Sequence, residues 1–126
     1  MFEVINMKLI NKTEILIKKS KFISYLYEVE TKEEADLVLD ELKKEHKKAR
    51  HIPYAYKIGP LAKKTDDKEP SNTAGMPIYN ILDYKKLDNR LIAVVRYFGG
   101  TKLGAGLLTR TYSEAAKKVV EETNQN

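Results

Sequence analysis

Glycine is spent unevenly in this 126-residue chain: four of its six glycines, Gly99, Gly100, Gly104 and Gly106, fall in the stretch GGTKLGAG. Between a buried strand and a helix, glycine lets the backbone approach a ligand closely, and free N–H groups at the helix start favour an anion. Arginine is distributed just as unevenly. The chain holds nineteen lysines and four arginines, and two of the four, Arg96 and Arg110, flank the glycine stretch. A guanidinium grips phosphate or carboxylate with two parallel hydrogen bonds that lysine cannot imitate. Arg96, Lys102 and Arg110 therefore read as a basic cluster around Gly99, Gly100 and Gly104. The competing explanations are tight turning for the glycines and an internal ion pair for an arginine, for instance Arg110 with Glu114 one helical turn on.

EPSNTAG marks a second helix start, where the Ser71 and Thr73 hydroxyls with first-turn N–H groups could hold an anion, or Thr73 could act as an ordinary N-cap. Tyr54 and Tyr56, two apart on one strand face, suit stacking on nucleic-acid bases or filling a core. The inventory for catalysis is thin. The glycine stretch matches neither the P-loop nor the dinucleotide-binding pattern, and no Gly-x-Ser-x-Gly elbow raises a serine toward a base. Without cysteine there is no disulfide, thiolate metal site or cysteine nucleophile. His51 with Asp66, Asp67 or Glu69 lacks metal-ligand spacing, so no metal, no cofactor and no catalytic residue is expected.

These residues need elements to position them. ILIKK and FISYLYEV read as strands joined by a KKSK turn, with Ile23, Tyr25, Tyr27 and Val29 on one face and Phe22 and Leu26 on the other. Thr31 followed by Glu34 is a capping box, and Ala35, Val38, Leu39 and Leu42 form the buried stripe of a helix running to about Lys47. HIPYAYKI places Ile52, Tyr54, Tyr56 and Ile58 on one strand face, and Pro53 puts that strand near an edge or makes it start late. Gly59 to Asn72 reads as a long charged loop, followed by a short helix from about Ala74. LIAVVRYF is a continuous apolar central strand, and a last helix from about Ala105 to Glu121 turns Leu108, Tyr112, Ala115 and Val119 inward.

Length bounds the chain to one core. An apolar fraction of 42% against 33% charged suits a globular domain. The N-terminus mixes charge into its apolar residues, so neither a signal peptide nor a membrane span is read, and the cytoplasm is the expected location. Residues 1–50 hold 11 basic and 10 acidic side chains and residues 51–126 hold 12 and 8, which places most of the net charge of +5 in the second part. Such a surplus is compatible with phosphate-rich partners, although lysine also serves solubility alone.

Four stretches, KFISYL, HIPYAYKIG, EPSNTAGMPI and VVRYFGGTKLGAGLLTRTYSEA, together resemble the Impact N-terminal domain family over about residues 19–121. The resemblance implies an α+β fold like ribosomal protein S5 domain 2, a four-stranded sheet with helices packed on one face. It fits the element order β-β-α-β-α-β-α, to which an N-terminal strand over Glu3 to Ile10 can be added. It also implies a link to translation through binding rather than chemistry. Where the family pattern reads Asp-Gly-Glu-Pro-Ser-Gly-Thr-Ala-Gly, this chain has Lys68 and Asn72 at the glycine places; Asn tolerates positive φ, Lys does not share that tolerance. Leu107 and Thr111 stand where Gly and Ala are common. Bacterial members that look like this chain carry a second, ferredoxin-like domain, whereas this sequence reads as a single domain over 1–126 without it.

The resulting expectation is a non-enzymatic binding module associated with translation, contacting RNA, the ribosome or an acidic protein surface through its basic glycine-rich loop. The alternative is a hydrolase or phosphate-handling enzyme for a small anionic substrate, with His51 or Asp67 as acid or base. No membrane partner is expected, and nothing in the sequence sets an oligomeric state.

Overall fold

The structure, a computed structural model, describes residues 8–122. Of the N-terminal strand expected over Glu3 to Ile10, residues 3–7 lie outside the described residues, and Leu9 and Ile10 open the first strand, β1 (Leu9–Ile17). A two-residue turn, Lys18 and Lys19 with φ of 46° and 71°, leads into β2 (Ser20–Glu28). Positive φ at both turn residues matches the strand twist and closes the hairpin tightly.

The first helix, α1 (Lys32–Glu45), starts as expected: the Thr31 hydroxyl accepts from the Glu34 N–H at 3.1 Å, and the Glu34 carboxylate accepts from the Glu30 N–H at 2.8 Å. Just past its end His46 is held between the Tyr25 hydroxyl at 2.7 Å and the Tyr97 hydroxyl at 2.6 Å, and burial pushes its pKa down. Next come β3 (Tyr54–Ile58), β4 (Leu61–Thr65), α2 (Gly75–Tyr84), β5 (Arg90–Tyr97) and α3 (Ala105–Glu121). Pro53 precedes β3, so this strand starts late, and the Pro53 carbonyl accepts from the Val94 N–H at 3.0 Å.

The sheet has five strands in the order β1-β2-β5-β3-β4, antiparallel throughout, and this corrects the expected four. The additional strand, β4, lies inside the stretch read as a loop. Its residues are almost all exposed, so it carries no apolar alternation, and it is held through its ladder with β3, where Ile58 opposes Leu61 across the Gly59–Pro60 turn. Lys63 and Lys64 on this outer strand are the kind of charge that discourages pairing with other chains.

Helices cover both faces, which corrects the one-sided packing expected. Ala35, Val38, Leu39 and Leu42 of α1 pack on Ile23, Tyr25, Tyr27, Tyr56, Leu91, Ala93 and Val95. On the opposite face α2 and α3 enclose Phe22, Leu26, Ala55, Ile92 and Val94 through Ile78, Leu82, Leu108, Tyr112 and Val119. The physical reason is that β2 and β5 are apolar at consecutive positions, not alternate ones, and both faces must leave water. No helix among the described residues is long and apolar enough to cross a membrane.

Candidate functional site

Arg96 sits one residue from the end of β5, on the face covered by α2 and α3. It is only 4% exposed. Its Nη1 donates to both oxygens of Glu69, at 2.9 and 2.8 Å, and the Tyr112 hydroxyl of α3 donates to Oε2 of the same carboxylate. Burial first, and the Glu69 charge second, push the Tyr112 phenol far up, so it remains a donor. His51 completes the group: Nδ1 donates to the Asp67 carbonyl at 2.7 Å, which leaves Nε2 facing Glu69 Oε1 at 3.6 Å. The guanidinium lies 5.5 Å from the Phe22 ring centroid and 5.8 Å from that of Phe98.

This network floors a cleft of about 350 Å³ between the segment before α2, the end of β5 and the start of α3. Its lining brings together Arg50, Lys68, Arg96 and Lys102 against the single carboxylate of Glu69. Arg50, Lys68 and Lys102 are exposed and make no ion pair among the described residues. The Arg50 guanidinium lies over the Phe98 ring at 4.5 Å, and the Arg50 N–H donates to the Arg96 carbonyl at 2.8 Å, which fixes this residue at the rim. Lys68 is held in the left-handed region at φ 70°, as is Asn72 at 64°. Both are positions where the family pattern has glycine. A Lys kept in that conformation costs about 1 kcal/mol or more.

The expected cluster assembles only in part. Arg96 and Lys102 share the cleft, but Arg110 is exposed and lines a separate groove with Ile15, Ile17 and Leu107, and it forms no ion pair with Glu114 among the described residues. The reason is helical phase: six residues from the N-cap Gly104, Arg110 has rotated past the cleft, which Leu108 faces. Arg96 is not a free cation either, since its Nη1 is already paired with Glu69. Of the glycines, Gly100 (φ 94°) and Gly104 (φ 79°) serve backbone conformation, whereas Gly99 packs directly on Lys19 and Ser20.

The second anion candidate is corrected. The N–H groups at the start of α2 are already filled by a carboxylate of the chain itself: Asp66 Oδ1 accepts from Ala74 and Gly75 at 3.1 and 2.8 Å, and Oδ2 from Asn72 at 2.9 Å. Thr73 is buried and donates its hydroxyl to the Pro70 carbonyl at 2.6 Å, so it does not cap, and Ser71 is simply exposed. Base stacking by Tyr54 and Tyr56 is corrected too. The rings lie parallel at 6.2 Å, but Tyr56 is 1% exposed beneath α1 and cannot stack on a base; Tyr54 is half-buried, with the Lys63 ammonium 5.8 Å from its ring centroid. Asp67 is a turn anchor, its carboxylate accepting from the Ile52 N–H at 2.6 Å. Glu69, weighed from the sequence only as a metal ligand beside His51, and Arg50 are the site residues whose roles sequence reasoning did not find. The signal for Glu69 was available in EPSNTAG, a carboxylate beside a proline with an arginine to pair; nothing local marks Arg50. No group of acidic or histidine side chains suited to a metal occurs among the described residues.

The sequence profile of the Impact N-terminal domain matches residues 18–120. The IMPACT family member YvyE of Bacillus subtilis is 44% identical over 108 residues, 83% of this chain and 50% of that protein. IMPACT family member YigZ of Escherichia coli is 32% identical over 111 residues, 84% of this chain and 54% of YigZ. The chain thus spans about half the length of the curated relatives it matches. A crystal structure of a hypothetical protein superposes with a TM-score of 0.86 at 31% identity, covering 89% of this chain and 57% of the other. The two-domain translational regulator Yih1 superposes at 0.53 with 22% identity, covering 92% of this chain and 46% of Yih1, a likeness of fold alone. A profile match across nearly all of the described residues, joined to relatives this similar, places the chain in the Impact N-terminal domain family.

Proposed function

We propose that the chain is a non-enzymatic regulatory module of the translation apparatus that binds RNA phosphate in the cleft beside α3. The observation that carries this reading is the rim: three exposed, unpaired cations, Arg50, Lys68 and Lys102, surround a carboxylate already neutralised by Arg96. The fold likeness to the translational regulator Yih1 and the S5-like resemblance of the sequence support the translation link. The cytoplasm is the compartment this reading requires.

The test is co-sedimentation with ribosomes and bulk RNA over a salt series. Wild type is expected to bind at low salt and release as salt rises, because bound phosphates free their counterions. Arg50→Ala/Lys68→Ala/Lys102→Ala removes up to three such contacts, and the slope of log K against log salt falls by about 2. Salt-insensitive binding, or a triple variant indistinguishable from wild type, overturns the reading. A single substitution separates binding from folding. Lys68→Gly is expected to raise stability by about 1 kcal/mol in urea denaturation, by relieving the left-handed strain, while weakening RNA binding.

His51 favours a second reading. Its Nε2 lies beside Glu69 at the cleft, the arrangement of an oriented base, and turnover of a phosphoester lost in His51→Ala would turn the module into a phosphate-handling enzyme.

A further inference from the structure

The pairing of Arg96 leaves part of its guanidinium unspent. Both bonds to Glu69 come from Nη1, and neither Nη2 nor the solvent-inaccessible Nε has a hydrogen-bond partner among the described residues. Nε is out of reach from the cleft, so Nη2 is the edge that an entering acceptor can meet. Arg96 lines that cleft. The start of the 17-residue helix α3 opens into the same space, with Gly104 as N-cap and no side chain accepting from its first-turn N–H groups. Arg50, Lys68 and Lys102 close the rim, and Phe98, Leu103 and Leu108 form apolar walls.

We propose that this cleft is a phosphomonoester site, taking the terminal phosphate of an RNA chain or of a free nucleotide rather than an internal backbone linkage. The inference rests on the anion-binding reading above and sharpens it. A phosphomonoester carries about −1.5 to −2 charge and three free acceptor oxygens, against one charge and two free oxygens for a diester. Three donor sets converge here: the unspent edge of Arg96, the first turn of α3 and the rim cations. Phe98, exposed and stacked with Arg50, offers an aromatic wall beside the phosphate for the terminal base.

The experiment is a fluorescence-anisotropy titration with one short oligoribonucleotide sequence bearing a 5′-phosphate, a 3′-phosphate or no end phosphate, with AMP and adenosine as competitors. An end-phosphorylated form is expected to bind about tenfold or more tightly than the unphosphorylated one, with the preference lost in Arg50→Ala/Lys68→Ala/Lys102→Ala. Competition by AMP but not adenosine makes a free nucleotide a sufficient ligand; failure of AMP to compete assigns the site to RNA ends. Equal, salt-sensitive binding of all three oligonucleotides overturns the phosphomonoester site while leaving RNA binding intact. Binding of AMP in a direct calorimetric titration, with no binding of any oligonucleotide, keeps the site and removes the RNA reading. No binding of any probe overturns both, and an end preference that the triple variant retains overturns the site alone.

Discussion

Glu69→Ala is expected to lower the unfolding free energy by about 3–5 kcal/mol, because it strands a guanidinium in the protein interior. Arg96 is 4% and Glu69 6% exposed, so water cannot replace the lost carboxylate. The Tyr112 hydroxyl, which donates to the same oxygen as Arg96, loses its acceptor in the same step. Urea denaturation of wild type, Glu69→Ala, Arg96→Met and the double variant Glu69→Met/Arg96→Met measures the effect and its origin. The double variant is expected to be markedly more stable than the sum of the single losses, since two apolar side chains of similar volume leave no uncompensated charge. A Glu69→Ala protein within about 1 kcal/mol of wild type is incompatible with the pair's being buried as described. The experiment also bears on function, because it separates the internal role of Arg96 from the binding role of the rim cations.

Gly99→Ala is the second large effect, at about 3 kcal/mol, the upper end of what overpacking costs when backbone has to move. A Cβ at this position falls 2.1 Å from the Lys19 carbonyl carbon, 2.3 Å from its oxygen and 2.5 Å from the Ser20 nitrogen. Those atoms are backbone of the β1–β2 turn, so no side chain can swing aside. The Gly99 N–H also donates to the Ser20 hydroxyl at 3.2 Å, a contact the displaced turn loses. Gly100 provides the internal comparison. It has open space where a Cβ would go and only its φ of 94° to satisfy, so Gly100→Ala costs about 1–2 kcal/mol. Thermal and urea unfolding of the two variants side by side decide the matter, and equal losses would count against the close approach. The adjacent glycines thus serve different ends: Gly99 docks the loop on the hairpin, and Gly100 turns the chain toward α3.

What the sequence by itself determined is what neighbours in the chain can dictate. The two-residue period of FISYLYEV and YAYKI assigned their faces correctly, Thr31 and Glu34 marked the start of α1, and the stripe Leu108, Tyr112, Ala115 and Val119 turned inward as expected. The motif comparison went further: Lys68 and Asn72, standing at glycine places, both take positive φ, because the turn imposes that conformation whatever residue occupies it. β4 escaped because an exposed outer strand needs no apolar alternation, only a partner's free N–H and C=O groups. The site was decided by tertiary structure alone. Arg96 finds its carboxylate 27 residues away at Glu69, Asp66 reaches forward to fill the start of α2, and Arg50 arrives at the rim through its ladder contact with Arg96. Helical phase then sends Arg110 to another groove although it flanks the same glycine stretch. Periodicity and capping are local energies that sequence spacing encodes, whereas the partner of a buried charge is chosen by which groups the packed sheet and helices bring within hydrogen-bond reach.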